Sequence, residues 1–244
     1  GTVMSQKNIS KGSKSSDYII SLREPNSQIV EAFRGLRTAL KFSLSTTDNK
    51  TILITSAAPG DGKSFIASNL AAIIASSGQK VLLVDADMRR GKLRHIFNVS
   101  KRSKGLSDIL SDNEKIDLAC YDTELDDLKF VPAGRYPPNP AEILESSRMD
   151  DFYSWAKNNF DIIIFDTPPV LAVADPIILD KYSGVNLIIV RHNVSHIGQL
   201  EESIRILKNS GVIINGAILN GFNQKNSKYG NYSYNYSYQS ESDN

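Results

Sequence analysis

Thr51-Ile-Leu-Ile-Thr-Ser-Ala-Ala-Pro-Gly-Asp-Gly-Lys-Ser64 is the stretch that decides the fold. Its first six residues are a short apolar run rich in β-branched side chains, which reads as a buried strand. From Lys63 to about Ser77 the chain reads as a helix that Gly78 closes. Between them lies Ala57-Ala-Pro-Gly-Asp-Gly-Lys-Ser64, in the strand-to-helix context that a phosphate-binding loop requires. Gly60 and Gly62 let the backbone turn its N–H groups toward phosphate oxygens, and the following helix presents its positive end. Lys63 suits the β- and γ-phosphates, and the Ser64 hydroxyl suits magnesium. The motif ordinarily starts with glycine, and Ala57 at that place is a mild departure. A glycine-rich turn without a ligand is the bland alternative.

Working outward, Lys80-Val-Leu-Leu-Val84, Leu128-Lys-Phe-Val131, Asp161-Ile-Ile-Ile-Phe165, Val185-Asn-Leu-Ile-Ile-Val190 and Gly211 to Leu219 read as further strands. Helical stretches near 140–158, 174–181 and 196–209 alternate with them. Continuous aliphatic runs between helices predict a single doubly wound, mainly parallel α/β sheet covered on both faces. Val84-Asp-Ala-Asp87 and Phe165-Asp-Thr-Pro-Pro169 place Asp85, Asp87 and Asp166 at carboxyl ends of strands, where ligands of open α/β sheets collect. A lone strand-end Asp is more often a cap or turn residue. Three beside a Lys-Ser loop point to ATP or ADP with Mg²⁺.

With 28 basic and 27 acidic residues the net charge is +1, and 41% of the chain is hydrophobic. That balance fits an ordinary globular chain and argues against a nucleic-acid partner. The single cysteine, Cys120, excludes a disulfide scaffold and fits a cytoplasmic setting. No apolar run approaches the roughly 20 residues that span a bilayer. Three segments follow: residues 1–17 polar and flexible, 18–224 the nucleotide-binding domain, and 225–244 a flexible tail. Met4 behind Gly1-Thr-Val3 reads as an expression scar, so the first segment is native, tag or activator-derived. The tail holds Tyr229, Tyr232, Tyr234, Tyr236 and Tyr238, five of ten tyrosines, without aliphatic companions to build a core.

The loop and the two acidic strands resemble the branch of P-loop ATPases that includes the MinD and ParA proteins. Those relatives carry an additional lysine where Ala58 stands here. The combination is similar to the bacterial protein-tyrosine kinases of capsular and exopolysaccharide systems, on the strength of Asp85-x-Asp87-x-Arg89, Pro137-Pro-Asn-Pro140 and the terminal tyrosines. This resemblance covers roughly residues 25–238 and implies ATP-dependent autophosphorylation of the tail tyrosines. It implies Lys63, Asp85, Asp87 and Asp166 as catalytic, with Asp85 as base or orienter. It implies Pro59, Gly60, Asp61, Gly62, Lys63, Ser64, Phe65 and Asn220 around the nucleotide, with Asn220 near adenine, and Ser64, Asp85 and Asp166 about the metal.

The helix beginning near Asn26 carries Ile29, Phe33, Leu36 and Leu40 at helical spacing. Glu31, Arg34 and Arg37, spaced by three, read alone as a solvated face. The resemblance makes them the interface of a ring homo-oligomer. It also implies protein tyrosine substrates and a separate membrane activator, a polysaccharide co-polymerase, that recruits the protein to the inner face of the cell membrane. Other readings of the same residues are a switch ATPase of the MinD or ParA type and a non-catalytic nucleotide-binding regulator of an export complex. Arg89, Arg90, Lys92 and Arg94 contact phosphate or a neighbouring subunit, or are a solvated basic turn. His192 and His196 read as surface or capping residues.

Overall fold

The computed structural model describes residues 17–112 and 115–222. Seven strands form one sheet: β1 (Thr51–Ser56), β2 (Val81–Asp85), β3 (Tyr121–Asp122), β4 (Leu128–Val131), β5 (Ile162–Asp166), β6 (Val185–Arg191) and β7 (Gly216–Asn220). Their order is β3-β4-β2-β5-β1-β6-β7, parallel throughout except for the short edge strand β3. The helices are α1 (Ile20–Arg23), α2 (Gln28–Ser45), α3 (Lys63–Ala75), α4 (Leu93–Ile96), α5 (Leu106–Asp112), α6 (Pro140–Leu144), α7 (Ser147–Asn159), α8 (Asp175–Leu179) and α9 (Ile197–Asn209). The expected doubly wound sheet is the observed one.

Each central strand is apolar on both sides because both faces are covered. Ile52 and Ile54 of β1, Val81 and Leu83 of β2, and Ile162 and Ile164 of β5 face the layer of α1 to α4. Leu53, Leu82, Val84, Ile163 and Phe165, one residue out of phase, face the layer of α5 to α8. Helix α3 is buried almost all round, since α1 and α2 lie over it. Asn69 of α3 anchors α1 by accepting from the Ile20 N–H at 2.7 Å. The Ser27 hydroxyl caps α2 by accepting from the Val30 N–H, and Glu31 follows in its first turn.

Two expectations are corrected. The last strand begins at Gly216 rather than Gly211. Residues 211–215 first close α9, with the Val212 N–H donating to the Leu207 carbonyl at 3.0 Å, and Val212 then packs on Leu207 and Val170. The stretch from 86 to 127, assigned no elements from the sequence, holds α4, α5, a 3-10 turn over Ile116–Ala119, and β3. These pieces are too short to show a period.

Candidate active site

The phosphate loop leaves the carboxyl end of β1 between β5 and β6. Gly62 takes φ +94, a left-handed conformation disfavoured for L side chains, and any side chain there would overlap the Asn220 amide. Lys63 is buried, and its ammonium donates to the Ser56 hydroxyl at 3.2 Å. The Asp166-Thr-Pro-Pro segment is pinned beside it. The Thr167 hydroxyl donates to the Ile54 carbonyl and the Thr55 hydroxyl to the Pro168 carbonyl, both at 2.9 Å.

Asp85 and Asp166 are register neighbours on the paired ends of β2 and β5. Both are 1% exposed. Asp85 accepts from the Asp87 N–H at 3.2 Å and the Leu93 N–H at 3.1 Å. Burial, reinforced by the charges of Asp166 and Asp87, raises its carboxyl well above the ordinary range. Burial pushes the Asp166 carboxyl up to about 7, against the pull of the Ser64 hydroxyl and the Lys63 ammonium. Asp166 Oδ1 is buried without a hydrogen-bond partner. An acid pair that repels itself, one orphaned carboxylate oxygen and an adjacent serine hydroxyl fit a hard divalent cation such as Mg²⁺. Among the described residues no cluster of three His, Cys, Asp or Glu side chains forms a self-sufficient metal cage.

The raised acids have a consequence for stability. An unfolded Asp ionises near pH 4, whereas folded Asp166 ionises near 7. Between those values the folded state keeps a proton that the unfolded state has lost, so stability falls as pH rises from about 4 to about 7. Asp166→Asn should flatten this slope and, without metal or nucleotide, melt a few degrees above wild type at pH 8. Thermal melts from pH 4 to 8 check it, and an unchanged slope would contradict the assignment.

The structure gathers Lys63, Ser64, Asp85 and Asp166 at one place and assigns different work to other expected residues. Asp87 lies half-buried at the rim, its carboxylate accepting from the Arg89 and Arg90 N–H groups at 3.2 and 2.8 Å. Asp61 is buried, and its carboxylate accepts from the Ser195 hydroxyl at 2.6 Å and the Ala58 N–H at 3.3 Å. That side chain braces the loop from within. Pro59 and Gly60 are the exposed crest of the loop. Phe65 packs against Phe33 of α2, with ring centroids 6.1 Å apart, as part of the core. The Asn220 amide donates to the Asp61 carbonyl at 2.8 Å, so its donor is committed to the loop.

Arg89 has a partner within the chain. Its guanidinium forms a two-pronged pair with Asp175, at 3.3 and 3.1 Å, and Asp175 is fully buried at the start of α8. This pair ties the turn after Asp87 to the segment after Asp166, and it was not foreseen. Gly91 is a close approach in that turn, since a Cβ there would lie 2.7 Å from Asp85 Oδ2. On α2, Glu31 and Arg34 are exposed and paired with each other. Arg37 is half-buried and donates to the Ile73 carbonyl at 3.1 Å. The five tail tyrosines and residues 1–16 lie outside the described residues.

Comparison with known proteins converges on one group. A protein-family model described as an AAA domain matches residues 49–211. A putative tyrosine-protein kinase in the cps region of Klebsiella pneumoniae is 39% identical over 213 residues, 87% of this chain and 29% of that protein. Tyrosine-protein kinase wzc of Salmonella typhimurium is 34% identical over 225 residues, 92% of this chain and 31% of that protein. The chain therefore spans less than a third of the length of these curated relatives. Among solved structures, the kinase domain of Escherichia coli tyrosine kinase ETK superposes with a TM-score of 0.84 at 34% identity, over 96% of this chain and 93% of that one. The septum site-determining protein MinD of Pyrococcus horikoshii, solved with Mg-ADP, shares the fold at a TM-score of 0.58 and 24% identity, over 70% of this chain and 69% of that one.

Proposed function

Because the chain belongs to the family of bacterial tyrosine-kinase domains built on the AAA domain, we propose that it transfers the γ-phosphoryl group of ATP to tyrosine hydroxyls. The observation that carries this reading is the buried pair Asp85 and Asp166, aligned across β2 and β5 beside Lys63 and Ser64. The loop amides and Lys63 hold the phosphates, and Ser64, Asp85 and Asp166 hold magnesium directly or through water. Bound magnesium supplies charge neutralisation on the transferring phosphates. Asp85 orients the attacking phenol and receives its proton, which a hydroxyl with pKa about 10 must shed as the new P–O bond forms and ADP leaves.

The acceptor is the chain's own terminus. Alternate residues of any extended segment project to one side, so the spacing of Tyr232, Tyr234, Tyr236 and Tyr238 makes them equivalent acceptors for a site that binds an extended peptide, and Tyr229 precedes them in sequence. The tail of one subunit enters the active site of its neighbour in a ring. The exposed ridge of α2 supports that contact: Glu31, Arg34 and Phe42 lie on its outer side, and Phe42 is 72% exposed. Full phosphorylation adds about −8 to −10 charges, at roughly −1.5 to −2 per phosphate, which repels the tail from ATP and loosens the ring.

The kinase acts at the inner face of the cell membrane, docked to a membrane activator of a capsular or exopolysaccharide export system. No helix among the described residues is long and apolar enough to cross a membrane itself. Changing the five tail tyrosines to phenylalanine should remove nearly all incorporated phosphate while leaving nucleotide affinity within about twofold. Light scattering should fall after ATP in the wild-type chain, as the ring loosens, and stay constant in this variant. Undiminished incorporation would place the acceptors elsewhere.

A further inference from the structure

A phosphate loop can aim its N–H groups at a ligand only if its carbonyls are turned outward and held there. In this chain the holding groups come from the far side of β1, at the carboxyl ends of β6 and β7. The Gly60 carbonyl accepts from Arg191 Nη1 at 2.8 Å, and the Asp61 carbonyl accepts from Asn220 Nδ2 at 2.8 Å. The Asp61 carboxylate, inside the loop, accepts from the Ser195 hydroxyl at 2.6 Å.

The residues that reach across are themselves fixed. Ser195 accepts from the Arg191 N–H at 2.7 Å through its hydroxyl, and its own N–H donates to the Arg191 carbonyl at 2.9 Å. Asn193 takes φ +57, a conformation that asparagine tolerates better than most, and so closes the 191–195 turn. The turn leads directly into α9. Asp61 carries a negative charge that would repel phosphate if it faced the ligand, and Ser195 keeps it turned away.

We infer that Arg191 and Ser195 are positioning residues for nucleotide phosphate, which hold the loop in its binding shape from the β6 side. Their effect is exerted through Gly60 and Asp61. The inference rests on the reading of this loop as a nucleotide site, but not on phosphoryl transfer to tyrosine.

The test is the affinity of the whole chain for N-methylanthraniloyl-ADP with Mg²⁺, read by fluorescence titration and by dissociation on chase with ADP. Ser195→Ala leaves a buried carboxylate short of a donor and should raise the Kd about tenfold, mainly through faster release. Ser195→Thr keeps the hydroxyl and should restore most of the loss, as general damage to the fold would not allow. Arg191→Ala removes the half-buried donor to the Gly60 carbonyl and should weaken binding about threefold, with Arg191→Lys intermediate. Kd values within twofold of wild type for both alanine variants would overturn the inference. So would a Ser195→Thr protein as weak as Ser195→Ala. A wild-type chain that binds the probe but phosphorylates no tyrosine would remove the kinase reading and leave the brace standing.

Discussion

Lys63→Met should reduce phosphoryl transfer by at least about 10² to 10³-fold while leaving the fold intact. The lysine is 8% exposed, and its ammonium donates to the Ser56 hydroxyl at 3.2 Å. Methionine fills nearly the same volume, so the packing of α3 against β1 survives. What disappears is the cation that offsets Asp166 and that we propose faces the β- and γ-phosphates. The expected signature is therefore a protein with wild-type circular dichroism, weakened ATP binding and no measurable phosphotyrosine. Transfer within tenfold of wild type would mean that the phosphates are neutralised by some other group.

Asp85→Asn should cost about 10² to 10⁴-fold in transfer with a much smaller change in ADP affinity. The carboxylate accepts from the N–H groups of both Asp87 and Leu93. The asparagine carbonyl satisfies one of them and turns an amide donor toward the other. Initial rates of tyrosine phosphorylation, set beside nucleotide titrations, separate the two effects. Asp87→Asn is the natural comparison and should lose less, because Asp87 is half-buried at the rim of the site whereas Asp85 is buried beside Asp166. Equal losses at Asp85 and Asp87 would shift the base to the rim of the site.

What could be read from the sequence follows a physical rule. The strands of the sheet centre were legible because burial on both faces makes them continuous apolar runs, as in Ile52 to Ile54 and Ile162 to Phe165. Asp85 and Asp166 were legible because each interrupts such a run at its carboxyl end. Lys63 and Ser64 stand at a fixed offset from the glycines that demand the turn. The side chains that brace these groups were not legible. Arg89 and Asp175 are 86 positions apart, and Arg191 and Gly60 are 131 apart.

Nothing local distinguishes a buried partner of that kind from a helix-start aspartate or a strand-end arginine, because the pairing exists only after the sheet has formed. Asp61 shows the same limit: its place in the loop fits a backbone contact with phosphate, while the partner of its carboxylate, Ser195, lies 134 positions away. The region between β2 and β4 escaped because α4 is four residues long and β3 only two, below the length at which periodicity separates helix from strand.

The most direct test of tyrosine phosphorylation by this chain is its intact mass after incubation with Mg²⁺ and ATP, followed by peptide mapping, with and without a membrane activator's cytoplasmic segment. The account predicts successive additions of one phosphate each, confined to Tyr229, Tyr232, Tyr234, Tyr236 and Tyr238. Steady ATP hydrolysis with no added mass, in the presence of the activator as in its absence, would contradict it and make the chain a switch ATPase.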